Sequence, residues 1–122
     1  MDVLIDFNLA REVFSDILKV ELEGYWWWSF GLTWSLVNLR GIEQVMLDMY
    51  DHPQELHQLM AFLRDEALSL LDFLELNNLL SLNNQGTYVG SGGFGYTHQL
   101  PQKDYNGTKV RTQDMWGFCE SQ

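Results

Sequence analysis

From Pro53 onward the apolar residues Leu56, Leu59, Met60, Leu63, Ala67, Leu70, Leu71 and Leu74 recur at intervals of three and four. That spacing places them on one side of a single long α-helix. Asp51 or His52 is the expected N-cap, and Pro53 falls in the first turn, where its missing N–H costs nothing. Asn77-Asn78 supplies a residue able to turn left-handed at the C-terminal end.

The segments on either side are shorter. Phe7, Ala10, Val13, Phe14 and Ile17 predict an amphipathic helix over about residues 6 to 16. Leu18, Val20 and Leu22 alternate with Lys19, Glu21 and Glu23, which predicts a strand ended by Gly24. Its charged second face fits poorly with burial on both sides. Ser29 to Tyr50 has a helical pattern broken near Gly41, and Leu79-Leu80-Ser81-Leu82 reads as a short buried strand. Asn83 to about Lys109 is polar and rich in glycine, so it is expected to be a long functional or mobile loop. A last short strand is expected from Asp114 to Cys119. The order helix, strand, long helical crossover, strand, loop, strand points to an α/β chain with about three parallel strands.

Composition narrows the function. Hydrophobic residues make up 46% of the chain, too many for disorder, and 14% of residues are aromatic. So many rings in 122 residues point to a partner surface as well as a core. The net charge of -10 repels phosphate backbones and anionic membranes, so neither nucleic acid nor membrane is expected as a partner. A single cysteine, Cys119, excludes an internal disulfide and cannot build a thiolate zinc site alone. The opening Met1 to Asp6 lacks the basic and long apolar regions of a signal peptide, so the expected compartment is the cytoplasm.

Candidate sites are few. Gly90, Gly92 and Gly95 satisfy G-x-G-x-x-G, but Tyr96-Thr97-His98-Gln99-Leu100-Pro101 has no helical period. The helix N-terminus that a pyrophosphate needs is therefore not expected, and the glycines read as a loop. His52 and His57 stand five apart, off the spacing that places two ligands on one helix face. The run Tyr25-Trp26-Trp27-Trp28 cannot turn all its rings into one core, so it predicts core packing with at least one ring at an interface or ligand. Asp114, Glu120 and Gln122 flank the last expected strand, and Glu120 is the carboxylate best placed at its end. No catalytic residue, metal ligand or cofactor is assigned from these patterns.

Several stretches resemble the uroporphyrinogen decarboxylase family in order and spacing. They are Arg40 to Glu43, Met46 to Pro53, Leu59 to Leu63, Leu79-Leu80-Ser81-Leu82-Asn83-Asn84, Tyr88 to Tyr96, and Asp114-Met115-Trp116-Gly117-Phe118. The likeness covers most of residues 10 to 122 and is similar to the bacterial decarboxylase-like and methyltransferase-like branch. It implies a (β/α)8 TIM barrel, of which residues 1–122 would form a single partial domain. It also implies a parent activity: decarboxylation of tetrapyrrole acetate groups without a cofactor, or methyl transfer to and from corrinoids or thiols, with zinc held by His and Cys. The substrate-binding Arg and catalytic Asp of the decarboxylases, and the His-x-Cys of the methyltransferases, have no counterpart here. The chain is therefore expected to be a truncated relative, inactive alone. Asn83, Tyr88, Asp114, Glu120 and Gln122 would be its share of a substrate pocket. The open barrel edge would be covered by self-association into a homo-oligomer or by a second, barrel-completing chain.

Overall fold

The computed structural model describes residues 3–90 and 93–117. Four helices dominate: α1 (Val3–Phe14), α2 (Leu32–Arg40), α3 (Ile42–Asp51) and α4 (Pro53–Leu76). A two-stranded antiparallel hairpin follows, β1 (Gln85–Gly90) with β2 (Gly93–Tyr96), and then a 3-10 turn at Thr112–Asp114.

The expected long helix is α4, with Pro53 in its first turn. His52 occupies the cap but makes no side-chain capping bond, so the backbone alone closes that end. At the other end Asn78 adopts φ 55°, and the Leu79 amide donates to the Leu74 carbonyl at 2.9 Å. This left-handed residue with a six-residue closing bond satisfies the last carbonyls of α4. The break between α2 and α3 falls at Gly41, whose φ of 82° is one that a side chain rarely tolerates. Arg40 locks this elbow: its Nε donates to Asp48 Oδ2 at 2.7 Å, and Gln44 Nε2 donates to Asp48 Oδ1 at 2.8 Å. These bonds hold the Asp48 carboxyl at about 2, against an ordinary 3.8.

The core joins the C-terminal half of α4 to extended chain. Leu71 and Leu74 pack with Trp28, Leu80 and Met115, and Trp26, Phe30, Leu82 and Val110 lie around them. Leu36 and Val45 are buried where α2, α3 and α4 meet. Among the described residues, only these seven apolar side chains are buried, whereas twenty-eight large ones are exposed.

The expected fragment of a parallel barrel is not what forms. The described residues contain one sheet, and it is antiparallel. Leu18 to Leu22 is no strand, and Leu18 and Leu22 are exposed, because no neighbouring strand offers that alternation a face to cover. Leu79 to Leu82 is extended but makes a single parallel bridge, between Tyr25 and Leu80. The ladder stops there because side chains take over its hydrogen bonds. The Gly24 amide donates to Ser81 Oγ at 2.8 Å, and the Trp26 carbonyl accepts from Asn83 Nδ2 at 2.9 Å. The expected strand at Asp114 opens instead as the end of the 3-10 turn, and Cys119 lies outside the described residues. Within the expected loop from Asn83 to Lys109, the glycine-rich centre is the hairpin.

Candidate functional site

Three of the five expected pocket residues can be placed. Asn83 is fully buried and joins three segments. Its Nδ2 donates to the carbonyls of Trp26 (2.9 Å) and Trp116 (2.8 Å), and its Oδ1 accepts from the Trp116 amide at 2.9 Å. The side chain thus does what a strand edge would do on both sides. These bonds leave no side-chain N–H of Asn83 for a substrate.

Asp114 is also fully buried. Its carboxylate accepts from Arg111 Nε at 2.8 Å and Arg111 Nη2 at 3.0 Å, and from the amides of Gln102 and Arg111 at 3.1 Å each. The guanidinium holds the Asp114 carboxyl below its ordinary range against the opposing effect of burial. Arg111 in turn grips Asp104 with two bonds, which lowers the Asp104 carboxyl and raises the guanidinium itself. An acid so firmly ionised and fully ligated is a clamp on the 102–114 segment, not a proton donor near neutral pH. Glu75 of α4 anchors the same segment by accepting from the Thr112 amide at 2.8 Å.

Tyr88 lies on the hairpin, half exposed, with its ring edge-on to Phe94 at 6.2 Å. Asn83 and Asp114 therefore serve one structural region, whereas Tyr88 belongs to another. Glu120 and Gln122 lie outside the described residues.

A pocket of about 470 Å3 sits at the foot of the hairpin, between Asn84, Gln85, Tyr96, Thr97, His98 and the Leu100-Pro101 turn. Asn84 is 2% exposed. Its Nδ2 donates to the Leu100 carbonyl, and its backbone carbonyl accepts from the Thr97 amide at 3.1 Å. Its Oδ1 is buried and has no hydrogen-bond partner. A buried carbonyl left unpaired costs about 1–3 kcal/mol, a cost that a donor group at this place would remove. Sequence reasoning nominated Asn83 and passed over its neighbour Asn84. The available signal was Thr87-Tyr88 and Phe94-Gly95-Tyr96 flanking a glycine cluster, a hairpin pattern that would have brought Asn84 and Thr97 together.

A second cleft, about 350 Å3, lies between α2, α3 and α4 and is lined by Leu36, Val45, Met49, Leu56, Met60 and His57. It is almost wholly apolar. His57 and His98 thus line different pockets. Among the described residues no three His, Cys, Asp or Glu side chains gather to hold a metal ion, and no helix is long and apolar enough to cross a membrane. Comparison with known proteins returns no matching family model, no matching curated protein and no matching solved structure.

Proposed function

We propose that this chain is a cytoplasmic uroporphyrinogen decarboxylase-like polypeptide that contributes part of a substrate pocket and does not turn over substrate alone. The observation that carries the reading is Asn84, which lines the pocket at the foot of the hairpin and whose buried Oδ1 has no partner, so that a donor reaching it as the amide shifts towards the pocket would satisfy it. The pyrrole N–H groups of a tetrapyrrole are donors of the kind this acceptor lacks. The stretches that resemble the family, Leu79 to Asn84 and Tyr88 to Tyr96, lead into this pocket and form its hairpin. Decarboxylation of a tetrapyrrole is the parent activity that this favours, and corrinoid-linked methyl transfer is the alternative within the family. Of the two acids that the sequence offered, Asp114 is committed to Arg111 and the backbone, and Glu120 lies outside the described residues.

The test has two parts. The purified chain is incubated with uroporphyrinogen and, separately, with a methylated corrinoid and a thiol, and no product above buffer is expected. Uroporphyrin is then titrated while the side-chain amide resonances of Asn84 are followed. Shifts at Asn84 and Thr97, lost in Asn84→Leu, are expected. Turnover by the isolated chain, or binding that leaves Asn84 unmoved, would overturn the reading.

A further inference from the structure

The loop between Tyr105 and Lys109 carries chemistry that the Asn84 pocket does not use. Asn106 is followed by Gly107, and no other asparagine of the chain precedes a glycine. Asn106, Gly107 and Thr108 are all exposed. Gly107 has a φ of 80°, and no atom lies within 4 Å of where its Cβ would stand. Without a side chain its amide nitrogen is unshielded, and its backbone can swing without a clash. Among the described residues that amide donates to nothing, and neither does the Nδ2 of Asn106.

The oxygen of the same side-chain amide is held. Oδ1 of Asn106 accepts from the Thr108 amide at 3.1 Å and from the Thr108 hydroxyl at 2.7 Å. Two donors on one carbonyl oxygen draw electrons from Cγ and stabilise the negative charge that an attacking nucleophile would place on Oδ1. The free Gly107 nitrogen is such a nucleophile, and it belongs to the neighbouring residue, so attack is intramolecular. The other asparagines lack this combination. Asn83 and Asn84 are buried, Asn77 Nδ2 is committed to the Phe73 carbonyl at 2.7 Å, and Asn38 lies within α2, where the following amide belongs to the helix ladder.

We propose that Asn106-Gly107 is a self-modification site, where the asparagine cyclises and hydrolyses to aspartate and isoaspartate, with Thr108 promoting ring closure. Hydroxide takes the Gly107 amide proton, and the nitrogen attacks Asn106 Cγ. The charge passes to Oδ1, against the two Thr108 donors. Collapse breaks the Cγ–Nδ2 bond, and Nδ2 leaves as ammonia with a proton from water, which regenerates hydroxide. Water then opens the succinimide at either carbonyl, so the overall change consumes water and releases ammonia. Asn106 lines a small pocket of about 150 Å3 with Asp104, Tyr105, Lys109 and Arg111. Lys109 forms no ion pair among the described residues, so the new carboxylate arises beside an available cation. This inference stands on the loop alone and does not depend on what the Asn84 pocket binds.

The experiment ages the full chain at stepped pH, from neutral to mildly alkaline, and maps its peptides by mass spectrometry with fragmentation that separates aspartate from isoaspartate. Conversion at Asn106 should run ahead of every other asparagine and rise in proportion to hydroxide. Thr108→Val, which removes the hydroxyl donor, should slow it about tenfold, whereas Thr108→Ser should stay within about twofold of the unaltered chain. Gly107→Ala, whose Cβ would stand in open space, should abolish detectable conversion while circular dichroism is unchanged. No conversion at Asn106, conversion no faster than at other asparagines, a Thr108→Val rate at or above that of the unaltered chain, or undiminished conversion in Gly107→Ala would each overturn the proposal.

Discussion

Replacing Asn83 with alanine tests whether one side chain stands in for sheet pairing in this fold. Asn83 makes three hydrogen bonds of 2.8–2.9 Å, all to backbone groups of Trp26 and Trp116, from a position with no solvent exposure. Each such bond contributes a net of about 1 kcal/mol, and a buried N–H left unpaired costs about 1–3 kcal/mol more. Truncation removes all three bonds and leaves the part-buried Trp116 amide at the low end of that penalty, so Asn83→Ala should destabilise the chain by about 4 kcal/mol. At about 3–5 °C per kcal/mol for a chain of this size, the melting midpoint should fall by roughly 12–20 °C. Asn83→Asp should be worse at neutral pH. Its carboxylate would face the two carbonyls that the amide nitrogen now satisfies, and it would bury a charge without a counter-ion. Acid should partly restore that variant, since a protonated carboxyl recovers one donor. Urea unfolding followed by tryptophan fluorescence measures the loss, and hydrogen exchange at the Trp116 amide localises it. A loss under about 1 kcal/mol, or an aspartate variant as stable as the alanine one, would refute the account of Asn83 as the join between the three segments.

Acid should weaken the fold through Asp48, Asp104 and Asp114. All three carboxyls are held low by arginine partners, so their contribution is present above the unfolded value near 3.8 and disappears as pH falls towards about 2, where Asp48 titrates in the folded chain. Thermal melts at stepped pH should show the drop beginning near pH 4, with a shallower one in Asp48→Asn. Two glycine replacements should differ sharply. A Cβ at Gly24 would lie 2.2 Å from the Leu79 carbonyl oxygen, so Gly24→Ala should part the Tyr25–Leu80 bridge, at a cost of about 2 kcal/mol or more by urea unfolding. Nothing lies within 4 Å of a Cβ at Gly41, so Gly41→Ala should cost only the strain of its positive φ, about 1 kcal/mol. Leu71→Ala removes a core contact to Trp28 and should cost about 2–4 kcal/mol with a change in tryptophan emission.

What the sequence alone determined is local. Helix α4, its proline start, the left-handed Asn78, the break at Gly41 and the amphipathic α1 all follow from spacings within a few turns. Of the predicted α4 stripe only Leu70 is exposed, because helical periodicity needs no partner to be legible. The strand expectations failed for the converse reason. Alternation at Leu18 to Leu22 predicts a strand only where another strand lies alongside, and tertiary structure supplies none. The site divided the same way. Adjacent asparagines with identical side chains took opposite roles, Asn83 satisfied on both side-chain N–H groups and Asn84 left with a buried, unpaired acceptor. Nothing in the residue type distinguishes them. The difference was decided by which carbonyls, from Trp26, Trp116 and Leu100, the fold brought within 3 Å of each amide.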